Sequence, residues 1–111
     1  MFEDSTVMYT PDKWIVLEVV GTYEPLHKVF GTWSGGYLSG DSWRLNSGIE
    51  SCELKNGRLH FHGSSGSIYS CHPEMFGIAG LSNYGAIQRG IDEGQLKIIP
   101  EDTDWVNFKY V

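Results

Sequence analysis

The chain has 111 residues, a formal net charge of −6, 41% hydrophobic residues and 14% aromatic residues. This length is enough for one domain spanning residues 1–111, and the hydrophobic content excludes a disordered chain. The negative charge argues against polymeric DNA or RNA as a partner, because binding a polymer requires a basic surface that neutralises phosphates. A small nucleotide needs only two or three local cations and is not excluded.

No targeting or membrane-spanning segment is predicted. Residues 1–7 are acidic and lack a basic start followed by an apolar run, and no apolar stretch approaches the ~20 residues of a membrane helix. Two cysteines, Cys52 and Cys71, are expected to stay reduced in a chain without a secretory segment, which predicts a cytoplasmic location. Residues 1–10 are expected to form a loose N-terminal extension.

Short extended segments are expected along most of the chain. Runs of β-branched, aromatic and aliphatic residues, bounded by Gly, Pro, Asn or Ser, predict the strands. The strands are predicted at residues 13–20, 27–33, 48–54, 59–62, 67–71, 95–99 and 105–110, with a shorter extended piece at residues 43–46. The Asn56-Gly57 pair between two of these runs predicts a hairpin with a type I′ turn, in which both central residues need a positive φ.

One helix is predicted at residues 81–93, where apolar side chains recur with a period close to 3.6 residues. Ser82 is expected to cap its N-terminus, and Gly94 is expected to end it. Together these elements predict an α+β protein with a mostly antiparallel bent sheet or small barrel of about six or seven short strands and one helix.

The functional information is concentrated in residues 33–48, which read Trp-Ser-Gly-Gly-Tyr-Leu-Ser-Gly-Asp-Ser-Trp-Arg-Leu-Asn-Ser-Gly. Glycine-rich loops expose backbone amides to anions, Trp and Tyr offer flat faces to a base or sugar, and arginine grips phosphate or carboxylate. This composition predicts a binding loop for a polar, flat, anionic small ligand. The candidate ligand-binding residues are Trp33, Gly35, Gly36, Tyr37, Ser42, Trp43, Arg44, Asn46 and Ser47.

Two other interpretations of this segment are open. In the first it is a structural hairpin connection, with Trp33 and Trp43 in the core and Arg44 paired to Asp41. In the second, Asp41 and Ser42 act with a histidine from position 60, 62 or 72 as a hydrolase. The second is disfavoured, because no Asp-x-x-His follows the Gly-Asp-Ser sequence and no general base lies near Ser42 in the chain.

Two histidines are candidate metal ligands. His60 and His62 lie two apart on a predicted strand and therefore share one face. A zinc site that includes Cys71 is conceivable, but the spacing matches no standard zinc pattern. The favoured interpretation is an exposed histidine pair with Cys71 as a small core residue. No catalytic residue, metal or cofactor is predicted.

The block Gly-Gly-Tyr-x-x-Gly-Asp-Ser-Trp-Arg-Leu-Asn-Ser-Gly at residues 35–48, together with residues 9–17 and 62–72, resembles small uncharacterised proteins encoded by tailed bacteriophages. The resemblance implies that the protein acts inside an infected bacterium. Small acidic phage proteins often act in the cytoplasm of the infected bacterium, where they block a host protein or sequester an immune nucleotide signal. Sequestering proteins of that kind are non-catalytic and commonly bind at oligomer interfaces.

These observations lead to one expected function and one alternative. The expected function is a non-enzymatic binding protein that sequesters a nucleotide-derived immune signal, of the cyclic oligonucleotide or cyclic ADP-ribose type, to counter bacterial defence. The alternative is a protein-interaction module that inhibits a host protein through an acidic surface and an exposed patch of Trp33, Trp43 and Trp105. A homo-oligomer is expected, because a small core cannot easily bury all the aromatic residues.

Overall fold

The computed structural model describes residues 7–21, 26–35 and 40–110. These residues form eight strands and one helix, which confirms the α+β class and raises the strand count above the six or seven predicted. The elements are β1 (Met8–Tyr9), β2 (Lys13–Val19), β3 (Leu26–Trp33), β4 (Ser42–Leu45), β5 (Ile49–Lys55), β6 (Arg58–Gly63), β7 (Ile68–Cys71), α1 (Leu81–Asp92) and β8 (Leu96–Ile98).

The strands form two separate four-stranded sheets, so the prediction of one bent sheet or a small barrel is wrong. Sheet A has the strand order β1-β7-β6-β5, and sheet B has the order β4-β3-β2-β8. All neighbouring strands are antiparallel except β1 and β7, which pair in parallel. Two sheets arise because the apolar residues on the inner face of each sheet bury themselves against the other sheet.

The main core lies between the two sheets, and α1 covers the outer face of sheet B. Consecutive residues on a strand point to opposite faces, so a strand covered on both sides is apolar throughout. This explains the uninterrupted apolar run at residues 14–17 of β2, where Trp14 and Val16 face sheet A while Ile15 and Leu17 face Ile87 of α1. Among the described residues, most of the aromatic rings are buried in this core or pack against it.

The turn between β5 and β6 confirms the strongest local prediction. Asn56 has a φ of 54° and Gly57 a φ of 76°, as a type I′ turn requires. At the other end of the chain, residues 8 and 9 form β1, which pairs with Ile68 and Tyr69 of β7. Residues 1–6 of the predicted N-terminal extension lie outside the described residues.

The helix lies within one residue of its predicted bounds and is followed by Gly94, but the predicted Ser82 cap is wrong. The N-cap is Gly80, and the Ser82 hydroxyl donates instead to the Asp41 carboxylate at 2.9 Å. The Asp41 carboxylate lies close to the backbone at the start of the helix: a β-carbon added to Gly80 would be only 2.2 Å from Asp41 Oδ2. A negative charge at this end stabilises the helix dipole.

The predicted strand at residues 105–110 is wrong. Residues 105–107 form a turn and residues 108–110 have no regular secondary structure. The Asn107 side chain donates to the Asp104 carboxylate at 2.8 Å. Trp105 is 6% exposed and packs between the sheets near Tyr110, whose hydroxyl donates to the Trp105 carbonyl. The aromatic pattern here reflects core filling rather than strand pairing. Because Trp105 is buried, it does not belong to the predicted surface patch.

Candidate functional site

The structure divides the predicted binding segment between two faces of sheet B. In the pairing of β4 with β3, Trp43 lies opposite Thr32, and Arg44 lies opposite Gly31. Adjacent residues on a strand point to opposite faces, so Trp43 and Arg44 point away from each other. Gly36 and Tyr37 lie outside the described residues.

Several predicted site residues lie away from Arg44. The Trp43 ring packs on Phe30 with ring centroids 5.5 Å apart, and its side chain stays 49% exposed on the helix-covered face of sheet B. The Ser42 carbonyl accepts a hydrogen bond from the Asn83 amide at 2.9 Å. The indole N–H of Trp33 donates to the Thr10 carbonyl at 3.1 Å. None of these three, nor Gly35, lines the cleft described next.

Arg44, Asn46 and Ser47 are brought together at a cleft of about 420 Å³. It lies where the β1 edge of sheet A meets the β4 edge of sheet B, next to the turn between β6 and β7. The other lining residues are Val7, Tyr9, Lys28, Leu45, Ser65, Gly66, Ser67 and Tyr69. The volume is within the range of small-molecule sites, which runs from about 300 to 1,000 Å³.

The Arg44 guanidinium lies over the Tyr9 ring, with its central carbon 4.5 Å from the ring centroid. Tyr9 in turn packs against Tyr69 at a centroid distance of 5.0 Å. Arg44 forms no ion pair with any described carboxylate, and Asp41, its predicted partner, is bonded to Ser82 instead. The ring contact therefore positions a guanidinium whose hydrogen-bonding edge is free within the described structure.

Asn46 is 3% exposed and occupies the inner wall of the cleft. Its Oδ1 accepts the Val29 N–H at 2.9 Å, which fixes the orientation of the amide. Its Nδ2 lies beside Gly63 and has no partner among the described residues. A buried donor without an acceptor costs about 1–3 kcal/mol, so this amide nitrogen is an unfavourable group within the described structure.

The turn between β6 and β7 forms the polar rim of the cleft. The Ser47 hydroxyl accepts hydrogen bonds from the Ser64 hydroxyl at 2.9 Å and from the Ser65 N–H at 3.0 Å, which ties this turn to the end of β4. Burial raises the pKa of Tyr69 to about 12, while the Arg44 charge acts in the opposite direction. The Tyr69 phenol therefore stays protonated at neutral pH.

The charge of the cleft is opposite to that of the whole protein. Lys28 and Arg44 line it, and none of its lining residues is Asp or Glu, although the chain carries a net charge of −6. Neither cation has an ion-pair partner among the described residues. Arg44 is exposed and Lys28 is half-buried, and strand alternation places Lys28 on the same face as Phe30, opposite Arg44. Positive charge without a nearby lining carboxylate favours a small anion at this cleft.

The residues of the disfavoured hydrolase are not brought together. Asp41 and Ser42 lie at the N-terminal end of α1, where their described contacts are to Ser82 and Asn83. His60 and His62 lie on the outer face of sheet A, and the His72 ring accepts the Glu74 N–H just after β7. The described structure therefore places no base beside Ser42.

His60 and His62 do share one face, as predicted, and Cys71 lies on the opposite face in the core. His62 contacts Glu53 at 2.7 Å, and this hydrogen bond lowers the pKa of Glu53. Burial lowers the pKa of His60 and raises those of Cys52, to about 12, and Cys71. Within residues 7–21, 26–35 and 40–110, no three potential metal ligands form a group.

Sequence reasoning missed Tyr9, Lys28, Tyr69 and the serines of the turn. Only the turn itself had a local signal, the Gly-Ser-Ser-Gly sequence at residues 63–66. No protein-family model, curated protein or solved structure matches the chain. No helix in the described residues has the length and apolar composition that crossing a bilayer requires.

Proposed function

We propose that this protein is a non-enzymatic binding protein that captures a small anionic, nucleotide-derived ligand in the cleft around Arg44. The observation that carries the proposal is the Arg44 guanidinium, which lies over Tyr9 and has no ion-pair partner among the described residues, in a cleft whose lining includes Lys28 and no carboxylate. On a protein with a net charge of −6, such a local reversal of charge favours a small anion over a long polyanion.

Preorganisation supports this proposal. The Tyr9 ring holds the Arg44 guanidinium, so less side-chain entropy is lost when a ligand binds. The planar guanidinium offers both hydrogen bonds to phosphate oxygens and a flat face for a base. The aromatic residues that would contact the ligand are Tyr9 and Tyr69, in place of Trp33 and Trp43.

The proposed ligand class is that of the nucleotide immune signals of bacteria, with cyclic oligonucleotides and cyclic ADP-ribose species as the first candidates. The sequence resemblance to phage proteins supports this class, and sequestration inside an infected cell would counter a bacterial defence. A homo-oligomeric assembly stays a prediction.

Isothermal titration calorimetry with a panel of these signalling nucleotides tests the proposal. We expect at least one nucleotide to bind below ~100 μM and Arg44→Ala to weaken its binding at least about tenfold, since the charged grip on phosphate is lost. The matched control is Arg89→Ala, which removes an exposed arginine paired with Glu93 on α1 and should leave the affinity unchanged. Failure of every nucleotide to bind, or equal losses in both variants, would contradict the proposal.

A second candidate function is docking to a host protein through β4. This strand lies at the end of sheet B, all four of its residues are exposed, and it presents Trp43 and Leu45 on one face. Exposed strand edges pair readily with other chains. With Trp105 in the core, the predicted tryptophan patch reduces to Trp43 and the partly buried Trp33.

Affinity capture from a bacterial lysate tests this second candidate. If docking is the function, the wild-type protein retains one host protein at near-equal stoichiometry, Trp43→Ala loses it, and Arg44→Ala keeps at least part of it. Truncating a central aromatic anchor typically costs about 2 kcal/mol or more of binding free energy. Retention by Trp43→Ala would contradict docking through this edge.

A further inference from the structure

We propose that β1 is a strap over the cleft, and that its docking on sheet A is coupled to ligand binding through the contact between Tyr9 and Arg44. The coupling to a ligand rests on the proposed function and adds a means of regulation to the same site. The hold of Arg44 on β1 is a property of the protein alone, and it can be measured without any ligand.

The pairing of β1 with sheet A is short. β1 has two residues and lies at the edge of the sheet, where it pairs in parallel with β7. Parallel pairing is slightly less stable per residue than antiparallel pairing, and the Met8 side chain is half-exposed. Edge segments with little buried apolar surface open locally while the core stays folded. β1 is therefore expected to leave β7 without unfolding of the domain.

The chain immediately after β1 is anchored to sheet B. Pro11 is buried against Gly31 of β3, where an added β-carbon would lie 3.1 Å from the proline ring. The next residue is also fixed, because the Asp12 N–H donates to the Thr32 carbonyl at 2.9 Å. Opening of β1 would therefore end at this anchor, and the strands that follow would keep their places.

Arg44 joins β1 to the opposite sheet. It belongs to β4 of sheet B, and its exposed side chain reaches the Tyr9 ring of β1, with the guanidinium carbon 4.5 Å from the ring centroid. The same ring packs on Tyr69, which is buried in the core. A cation over an aromatic ring stabilises an exposed contact modestly, which is enough to change the opening of a two-residue strand several-fold.

The contact that holds the strap is also part of the cleft. Val7 and Tyr9 line the cleft together with Arg44, so a ligand in the cleft can touch the strap only while β1 is docked. A ligand that makes more contacts with one of two states shifts the equilibrium towards that state. The coupling is reciprocal: a bound ligand holds β1 on β7, and loosening β1 weakens the binding of the ligand.

Amide hydrogen exchange of the ligand-free protein tests the hold of Arg44 on β1. The reporter is the Ile68 N–H, which donates to the Val7 carbonyl at 2.9 Å. The internal reference is the Asp12 N–H, which lies at the anchor and reports opening of the domain instead of the strap. We expect Arg44→Ala to speed the exchange of Ile68 about two- to fivefold and to leave the exchange of Asp12 unchanged.

A double-mutant cycle assigns this effect to the ring contact. Tyr9→Leu should itself speed the exchange of Ile68. Adding Arg44→Ala should then change the exchange by less than about 1.5-fold, because the ring that the guanidinium contacts is gone. The control Arg89→Ala removes an exposed arginine on α1 and should have no effect. An equal effect of Arg44→Ala in both backgrounds, or faster exchange of Asp12 together with Ile68, overturns the strap.

Cyclic diadenosine monophosphate and cyclic ADP-ribose, each at a saturating concentration, test the coupling to a ligand. We expect bound nucleotide to slow the exchange of Ile68 at least about fivefold and Tyr9→Leu to weaken binding at least about fivefold in calorimetry. The matched control is Met8→Leu, which conserves side-chain volume on the same strand outside the cleft lining and should keep the affinity within about twofold.

The outcomes separate the coupling from the proposed function. Binding that leaves the exchange of Ile68 unchanged overturns the coupling, while the proposed function stands. If neither nucleotide binds, the proposed ligand class fails and the coupling fails with it. The exchange rates of the ligand-free variants decide in either case whether Arg44 holds β1.

Discussion

Truncation of Trp14 to alanine is expected to lower the free energy of unfolding by about 3–5 kcal/mol, as for other large aromatic residues in protein cores. Trp14 is 1% exposed, and its ring lies 5.1–5.5 Å from those of Phe61, Phe76 and Trp105. Its indole N–H also donates to the His72 carbonyl at 2.8 Å. One side chain thus joins sheet B, sheet A and the C-terminal segment.

Urea unfolding followed by far-ultraviolet circular dichroism measures this effect. If Trp14→Ala leaves too little folded protein, Trp14→Phe keeps an aromatic ring and should lose only about 1–3 kcal/mol for the smaller volume and the missing hydrogen bond. Trp43→Ala is the matched control, because this half-exposed ring contacts Phe30 alone among the described rings. A larger loss for Trp43→Ala than for Trp14→Ala would refute the assignment of Trp14 to the centre of the core.

Replacement of Asn83 with alanine is expected to cost about 2–3 kcal/mol, the penalty for leaving buried hydrogen-bonding groups unsatisfied. Asn83 is 2% exposed, and its Nδ2 donates to the carbonyls of Ala79, Ser42 and Trp33 at 2.6, 2.9 and 3.2 Å. These bonds attach the first turn of α1 to the ends of β3 and β4. The side chain therefore fixes both ends of the connection between those strands.

The isosteric variant Asn83→Asp sharpens this prediction. It replaces the donor nitrogen with an oxygen that faces three carbonyl oxygens, so its loss should equal or exceed that of Asn83→Ala. Hydrogen exchange should also show faster exchange of the β4 amides in both variants, because this edge strand loses its attachment to α1. Asn107→Ala, which removes only an exposed side-chain bond to Asp104 and keeps the backbone one, is the control. A milder effect of Asn83→Asp than of Asn83→Ala would contradict the role assigned to the amide nitrogen.

Local signals predicted local structure well. The Asn56-Gly57 turn depends on the φ preferences of two adjacent residues, and the apolar run of β2 depends on residues within one strand. The helix was also located, although Gly85 and Gly90 disfavour it by propensity. Packing explains why position 90 is a glycine, because a β-carbon there would lie 2.6 Å from the Leu96 side chain.

Strand alternation separates Trp43 from Arg44, which the sequence pattern groups in one site. Once residues 43–46 are taken as extended, alternation places neighbouring side chains on opposite faces. By contrast, the sequence near Ser82 gives no sign that this residue is not the helix cap. The Ser82 hydroxyl instead donates to Asp41, which lies about forty residues earlier in the chain. The strand predicted at residues 105–110 is wrong for another reason: alternating aromatic residues occur both in strands and in irregular segments that fill a core.

The sequence by itself determined most of the secondary structure, the acidic surface charge and Arg44 as the candidate anion-binding residue, because each depends on residue type or on neighbours within a few positions. Only the tertiary structure decided that the strands divide into two sheets, and that Arg44 lies over Tyr9 in a cleft that is also lined by Lys28 and by the turn at residues 63–67. These groups come from four separate parts of the chain. Their meeting depends on the pairing of β1 with β7 and of β3 with β4, and the packing of the two sheets selects those pairings.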